Sequence, residues 1–414
     1  MNEILYFKAK LTAESPLIIG SGIDDNTDSD ILIGGDGNPY IPGTTIAGIC
    51  RHYLINKSET KNYVNKIFGY TVDGEDISQN SNIIFYDANL NNDKYSISSR
   101  DGVKLGENKS ALKGGKFDYE IIEAGINFDL RIELKSIKDV DGEQIIGHIV
   151  NGFNSHELRV GAKTTRGFGK IKTSDEKMFT LDLNTQMQQY IDFSWDKVNE
   201  KYTIPETDKN QYVTWKKEFD LQSFLFIRNY ATTSQVYNVE TNNNDGKIVD
   251  AEQLLNIEKK PVIPGTSWAG VFRHHFERIL NKVNYGEDNI KKLIDKVFGY
   301  VIEGKQEDNA QPSKIIFSES VIKNSRQLNR TRNAIDRFTG GAGDKKLFTT
   351  RPTYKGCGTL EIKLPVNDFK EELELIESII NICIDDLNAG FLTVGGETST
   401  GGGLINIHEK RCAE

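Results

Sequence analysis

The sequence predicts an α+β protein built from two tandem copies of one βαββαβ unit. Three observations carry that expectation. A phrase recurs: residues 40–54 read YIPGTTIAGICRHYL and residues 262–276 read VIPGTSWAGVFRHHF, an offset of 222 from Arg51 to Arg273. Later pairs keep the same order. KIFGY (66–70) matches KVFGY (296–300), NIIFYDANL (82–90) matches KIIFSESVI (314–322), and VGAKTTRGFGKIK (160–172) matches VGGETSTGGGLIN (394–406), at offsets of 230, 232 and 234. Apolar periodicity also switches between two-residue and helical spacing in the same sequence in both copies. A repeat of about half the 414 residues is a duplicated domain and not a solenoid.

In the first copy, residues 4–13 alternate apolar and polar side chains, as a half-buried strand does. Pro42-Gly43-Thr44 then opens a helix to about Asn56, with Thr44 or Thr45 able to cap its first turn. Ile46, Ile49, Cys50, Tyr53 and Leu54 share one face of it. Residues 82–88 and 127–135 read as strands, 143–157 as a second helix and 166–173 as a closing strand. The second copy repeats the order: strand 218–228, helix 266–282, strands 314–321 and 358–364, helix 369–388, strand 403–408. That succession is the split βαβ, ferredoxin-like arrangement, in which two helices cover one sheet face and leave the other free for a ligand. The expected boundaries are 1–175 for the first unit, 176–215 for a polar connector and 216–414 for the second unit.

Hydrophobic residues make up 37% of the chain and charged residues 27%, enough for two ordinary cores, and no stretch approaches the length of a membrane span. The start MNEILYFKAKL lacks the marks of a signal peptide. Four scattered cysteines without CxxC spacing indicate neither a zinc site nor a disulfide framework, and a cytoplasmic location is expected. The net charge of −9 argues against a wholly basic nucleic-acid binder but leaves room for local basic patches.

Two such patches stand out. Residues 95–120 carry Arg100, Lys104, Lys109, Lys113 and Lys116; residues 325–348 carry Arg326, Arg330, Arg332, Arg337, Lys345 and Lys346. Both lie between the second and third strands of their copies and end in an aromatic, Phe117 or Phe348. A solvated loop is the plain explanation, but its recurrence points to an arm that contacts phosphate. The glycine-rich stretch Gly161, Lys163, Thr164, Arg166, Gly167 and Gly169 adds charge to a backbone that phosphate can approach. The second copy keeps Gly395, Gly401 and Gly403 but places Glu397 and Thr400 where Lys163 and Arg166 stand, which predicts weaker phosphate contact there.

A helix opened by IPGTS-x-x-G-x-x-R, a terminal G-x-x-T-x-R-G-x-G loop and the arm motif RTRNAIDRFTGGA…KLF (330–348) together resemble the RAMP superfamily of CRISPR-associated proteins. Within it, the double unit looks like the tandem-fused backbone subunits of type III-D and related effectors. The resemblance implies guide RNA, complementary target RNA and other type III effector subunits as partners, and no membrane. It implies arms that kink the guide–target duplex. It carries guide contact onto Arg51-His52 and Arg273-His274, each of which could otherwise be an ordinary helix-surface pair. It also carries a target-cutting aspartate onto Asp30, with Asp28 as the neighbour that could serve instead, and onto Asp250 in the second copy. Such an aspartate could act as a base for the 2′-hydroxyl or hold a divalent cation, Mg2+. An Asp in a loop rich in Asn, Asp and Gly is otherwise a turn former.

The resulting expectation is an effector backbone subunit that binds guide RNA and cleaves target RNA as a metal-dependent endoribonuclease. Two other functions remain open: a non-catalytic RNA-binding scaffold, and a guide-processing endoribonuclease, for which His52 and His274 are the placed general bases. His275 has no counterpart in the first copy and is expected at the surface.

Overall fold

The computed structural model describes residues 3–22, 25–57, 59–71, 78–92, 95–106, 111–205, 212–229, 249–300 and 310–408. The chain divides into two compact units. The first holds residues 1–98, 120–164 and 168–210; the second holds 99–119, 165–167 and 211–414.

The first unit runs β1 (Glu3–Ala13), α1 (Gly43–Ile55), β2 (Ile83–Phe85), a hairpin arm of β3 (Ile97–Leu105) and β4 (Ala111–Ile122), β5 (Asn127–Lys135), α2 (Gly142–Asn154) and β6 (Ile171–Asp182). The central residues of the arm belong to the second unit. The five-stranded sheet is antiparallel: the two-residue strand Glu200–Lys201 edges β6, and the order continues β6-β1-β5-β2, with Phe7 opposite Ile132 and Met178. Strict alternation in β5 buries Phe128, Leu130, Ile132 and Leu134, which pack with Ile46, Leu54, Ile149 and Phe153 of the two helices. Removing that much apolar surface from water is the main term holding the unit together.

Two local expectations are corrected. No threonine caps α1. The Gly43 N–H instead donates to the Asp87 carboxylate at 2.7 Å, a cap supplied from 44 residues away. By contrast Asp141 caps α2 locally, accepting from the Glu143 and Gln144 N–H groups. Nor is the sheet face opposite the helices open. Phe193 of the segment after β6 stacks on Tyr6 at 3.9 Å, and Trp195 meets Tyr6 edge-on at 5.7 Å. Ile4, Leu181 and Val198 are buried with them.

The second unit runs β7 (Tyr212–Leu221), β8 (Ala251–Gln253), α3 (Gly265–Lys282), α4 (Glu287–Phe298), β9 (Ile316–Phe317), an arm of β10 (Arg330–Ile335) and β11 (Ala342–Arg351), β12 (Cys357–Pro365), α5 (Leu373–Asn388) and β13 (Ile405–His408). Its sheet order, β9-β12-β7-β13, repeats that of the first unit. Trp268, Phe272, Phe276, Phe317 and Ile380 fill its core. The Trp268 indole N–H is satisfied by the Ser320 hydroxyl at 3.0 Å, as a buried indole requires. The outer side of this sheet carries the pairs Glu218–Thr359, Ser318–Glu361 and Glu361–Lys363. His275 is buried and bonded to the Asp386 carboxylate, not at the surface. Cys50 and Cys383 are free and buried, while Cys357 is disulfide-bonded, which the cysteine spacing did not suggest. No described helix is long and apolar enough to cross a membrane.

Candidate nucleic-acid interface

The two terminal loops share one backbone. Gly161 and Gly395 have φ of 88° and 92°, and Gly169 and Gly403 have 78° and 79°. A Cβ on Gly169 would lie 2.3 Å from the Val160 carbonyl oxygen, and one on Gly403 2.0 Å from the Val394 oxygen. Only glycine fits there. Ala162 donates to the Ile18 carbonyl at 2.8 Å and Gly396 to the Phe226 carbonyl at 2.7 Å, so each loop is fixed to the segment after its first strand. Between these anchors Lys163 and Glu397 both adopt left-handed backbone, φ 54° and 58°. The loops therefore differ in charge and not in shape. Burial pulls the Lys163 ammonium down to about 8. Thr164 follows it in a short 3-10 turn.

Arg166 and Gly167 belong to the second unit. The Arg166 guanidinium donates to the Phe298 carbonyl and the Ser313 hydroxyl, both at 3.3 Å. Arg273 of α3 donates to the neighbouring Gly299 carbonyl at 2.9 Å and stands 3.8 Å from Asp295. Two guanidiniums thus converge where α4 ends. Burial, and then the Arg273 charge, draw Arg166 down to about 10. The buried Phe298 and Gly299 carbonyls hold the two cations side by side, and guanidiniums so placed can bind an anion. Gly167 is buried, and its Cβ would meet the Glu319 N–H at 2.8 Å.

The first copy repeats half of this arrangement. Arg51 on α1 donates to Asn65 at 3.3 Å, and Asn65 is the repeat partner of Asp295. His52 is exposed and lies 3.5 Å from Asn56. His274 is half-buried on α3.

The predicted arms are β-hairpins. Lys104 is exposed on the first; Arg100 is not. Arg100 is fully buried within the second unit, paired with the Glu319 carboxylate, so its charge is matched inside the protein. On the second arm, Arg332 donates to Glu397, and Arg330 stands 3.6 Å from the same carboxylate and 4.4 Å above the Phe224 ring. Sequence reasoning placed both arginines toward phosphate and missed their anchor. The signal was the substitution of Glu397 for Lys163 opposite a motif containing two arginines. Arg337 is exposed in the arm's turn, which Asp336 organises by accepting from the Phe338 and Thr339 N–H groups at 2.9 Å.

Each carried-over aspartate sits at the base of an arm. Beside Asp30, the Glu120 N–H of β4 donates to the Ser29 carbonyl at 3.0 Å, and the Ile31 N–H donates to the Glu120 carboxylate. Asp30 itself is buried. Its carboxylate accepts from Asn26 N–H (2.9 Å), Thr27 N–H (2.8 Å) and the Thr27 hydroxyl (2.9 Å). These donors, the Asn26 N–H first, hold it below the usual carboxylate range. Asp28 is exposed in the same loop. Asp250 is exposed and exchanges two bonds with Thr349 of β11: its N–H donates to the Thr349 carbonyl (2.8 Å) and its carboxylate accepts the Thr349 N–H (2.6 Å). Among the described residues no three His, Cys, Asp or Glu side chains come together to hold a metal. With both Asp30 oxygens already bonded in their own loop, the donor set does not fit a protein cage for a divalent cation.

Comparison with known proteins gives one family. The model described as "RAMPs: RAMP superfamily" matches residues 10–172 and 218–406, one stretch in each repeat. Among solved structures, a chain of the type III-B Cmr-beta bound to cognate target RNA, determined by cryo-EM, is 19% identical with a TM-score of 0.35. The match covers 44% of this chain and 61% of that one, less than two thirds of its length. No curated protein matches.

Proposed function

Because the chain belongs to the RAMP superfamily along both repeats, we propose that it is a cytoplasmic backbone subunit of a type III CRISPR effector, assembled with guide RNA, complementary target RNA and other effector subunits. The ferredoxin-like reading of each unit is part of this proposal and is supported by the shared strand order. The observation that carries the RNA reading is the convergence of Arg166 and Arg273 on the Phe298–Gly299 turn. Among the described residues the two cations have no carboxylate partner closer than Asp295, and a phosphate oxygen would satisfy both. Backbone contacts of this kind hold a strand without reading its sequence. The capped sheet face of the first unit argues against base stacking on the sheet itself.

Cleavage of target RNA is the finer part of the proposal. The 2′-hydroxyl would attack its adjacent phosphate in line while a carboxylate at the arm base takes its proton; the bond to the 5′-oxygen would break, leaving a 2′,3′-cyclic phosphate and a 5′-hydroxyl that takes its proton from water. Asp250, exposed and bonded through one oxygen, suits that role better than Asp30, whose lone pairs already serve its turn. That commitment of Asp30 favours a second reading for the first unit, a scaffold that binds without cutting. Reconstituted effector carrying Asp250→Ala, Asp30→Ala or both, assayed on complementary RNA with and without Mg2+, tests the assignment. Loss of one cut with Asp250→Ala is expected. Full-rate cutting by the double variant rules out both aspartates. Cutting of precursor guide RNA by the isolated chain would favour a processing nuclease at His52 or His274.

A further inference from the structure

Backbone pairing fixes which residues of the two arm bases correspond. The bridges Ile33–Pro39 in the first unit and Leu255–Pro261 in the second keep the offset of 222 that relates Arg51 to Arg273. By that register Asp250 stands where the first unit has Asp28, and Glu252 where it has Asp30. On the arm side, Leu17 bridges to Ile122 and Leu225 to Thr353, and each leucine precedes the carbonyl that holds its terminal loop. Arg351 therefore stands where the first unit has Glu120. The first arm base sets two acids side by side, the second an acid and an arginine. That arginine is tethered twice. Its Nη1 donates to the Glu252 carboxylate at 3.2 Å and its Nε to the Asn329 side-chain oxygen at 2.9 Å. Nη2 donates to none of the described residues, and the side chain is 29% exposed. An exposed ion pair contributes little stability by itself. A guanidinium already held in place, however, loses little freedom when it takes up a phosphate oxygen. β8 and β11 run parallel here with Glu252 beside Arg351, and Asp250 accepts the N–H of Thr349, two residues before that arginine. Two residues of strand span roughly 6.6 Å, room for one phosphodiester group between the exposed carboxylate and the guanidinium.

We propose that Arg351 is a second catalytic residue of the Asp250 site: its guanidinium binds a non-bridging oxygen of the scissile phosphate and stabilises the charge that builds there. Asp250 takes the proton of the attacking 2′-hydroxyl and the 2′-oxygen bonds to phosphorus. The bond to the 5′-oxygen breaks, and that oxygen takes a proton from water. The ends are a 2′,3′-cyclic phosphate and a 5′-hydroxyl, and Arg351 gives up no proton at any point. Glu252 and Asn329 are positioning residues that hold the guanidinium. The first unit, with Glu120 in the arginine's place, has no such cation at its arm base, which fits a unit that binds without cutting. This deepens the cleavage reading above and rests on it.

The test uses reconstituted effector and complementary RNA, with the single-turnover rate of the cut assigned to Asp250 and target retention measured in parallel. Arg351→Ala should slow that cut roughly 100-fold, the scale of removing one donor to a developing oxyanion, while retention changes less than about three-fold. Arg351→Lys keeps the charge but not the fork and should recover part of the rate. Glu252→Gln should slow the cut at saturating RNA, and Glu252→Asp should restore part of the loss. A second readout replaces one non-bridging oxygen of the scissile phosphate by sulfur, as separate diastereomers. The unaltered effector should cut one diastereomer more slowly than the other, and Arg351→Ala should erase that difference, which a merely structural role would not do. Should Arg351→Ala fail to assemble, Arg351→Lys decides by the same readouts. Full-rate cutting by Arg351→Ala overturns the assignment of Arg351 alone. So does a loss of rate matched by an equal loss of retention, with the diastereomer difference kept. No cut by the unaltered effector, or full-rate cutting by Asp250→Ala, overturns the reading beneath it and this inference with it.

Discussion

Lys163 and Glu397 occupy the same left-handed backbone position in the two repeats, at φ 54° and 58°, yet carry opposite charges. The glycines around them fix the loop in each copy, so the side chain is free to change what the loop attracts. The first copy carries a half-buried lysine, Lys163, at this position. The second uses its loop to hold the arm arginines Arg330 and Arg332. Duplication kept the scaffold and let the side-chain chemistry diverge.

The glycine requirement is testable without any ligand. Gly403→Ala forces a methyl 2.0 Å from a carbonyl oxygen at φ 79°. It should lower stability by about 2 kcal/mol or more in urea unfolding. Gly401→Ala, at φ 86° but with nothing within 4 Å, should cost about half as much. Equal losses would mean that the close approach in Gly403 is relieved elsewhere.

Lys163 should make RNA retention fall at alkaline pH. Its folded value is about 8, below the roughly 10.4 of an unfolded lysine. Rising pH through that window removes the loop's charge, while favouring the folded chain because the buried amine need no longer be ionised. RNA affinity should therefore decline from pH 7.5 to pH 9, a range of about 1.5 units around the shifted value. Lys163→Arg should flatten the profile. A profile unchanged by that substitution would separate Lys163 from phosphate contact.

Asp30 gives the opposite sign. Its folded carboxyl lies below its unfolded value, near roughly 3.9. The turn it organises is intact above that value and is lost as pH falls through the folded one. Amide exchange at Asn26 and Thr27 should accelerate below about pH 3.9, relative to neighbouring loops. Asp30→Asn should speed the same two amides at neutral pH.

Trp195→Ala separates structure from binding. The ring covers Tyr6 and Phe193 on the outer sheet face and stands 5.8 Å from the Arg131 guanidinium. Its loss should cost about 2 kcal/mol, less than a fully buried tryptophan because the residue is only half-buried. RNA affinity should not move. An affinity gain would mean that the capped face is a latent binding surface.

Much of this was legible in the residues. Phe128, Leu130, Ile132 and Leu134 announce their strand by alternation, and the observed bounds of β5 are those expected, Asn127–Lys135. The two loop motifs announce themselves by repetition. Long-range partners were not legible. Asp87 capping α1, Glu319 burying Arg100 and Asp386 holding His275 depend on folding distant segments together. A polar connector likewise hid Phe193 and Trp195, whose role exists only once Tyr6 faces them. α4 escaped because it has no marked counterpart of its length in the first repeat, where a short helix, Val64–Phe68, stands instead.

The most direct measurement is retention of single-stranded RNA by the full chain as a function of salt, for the unaltered protein and for Arg166→Ala combined with Arg273→Ala. Removing one cation from a phosphate should reduce the slope of log affinity against log salt by about 0.7. The account predicts weaker binding at low salt and a slope shallower by about 1.4 for the pair. Identical affinity and slope in the two proteins would contradict it.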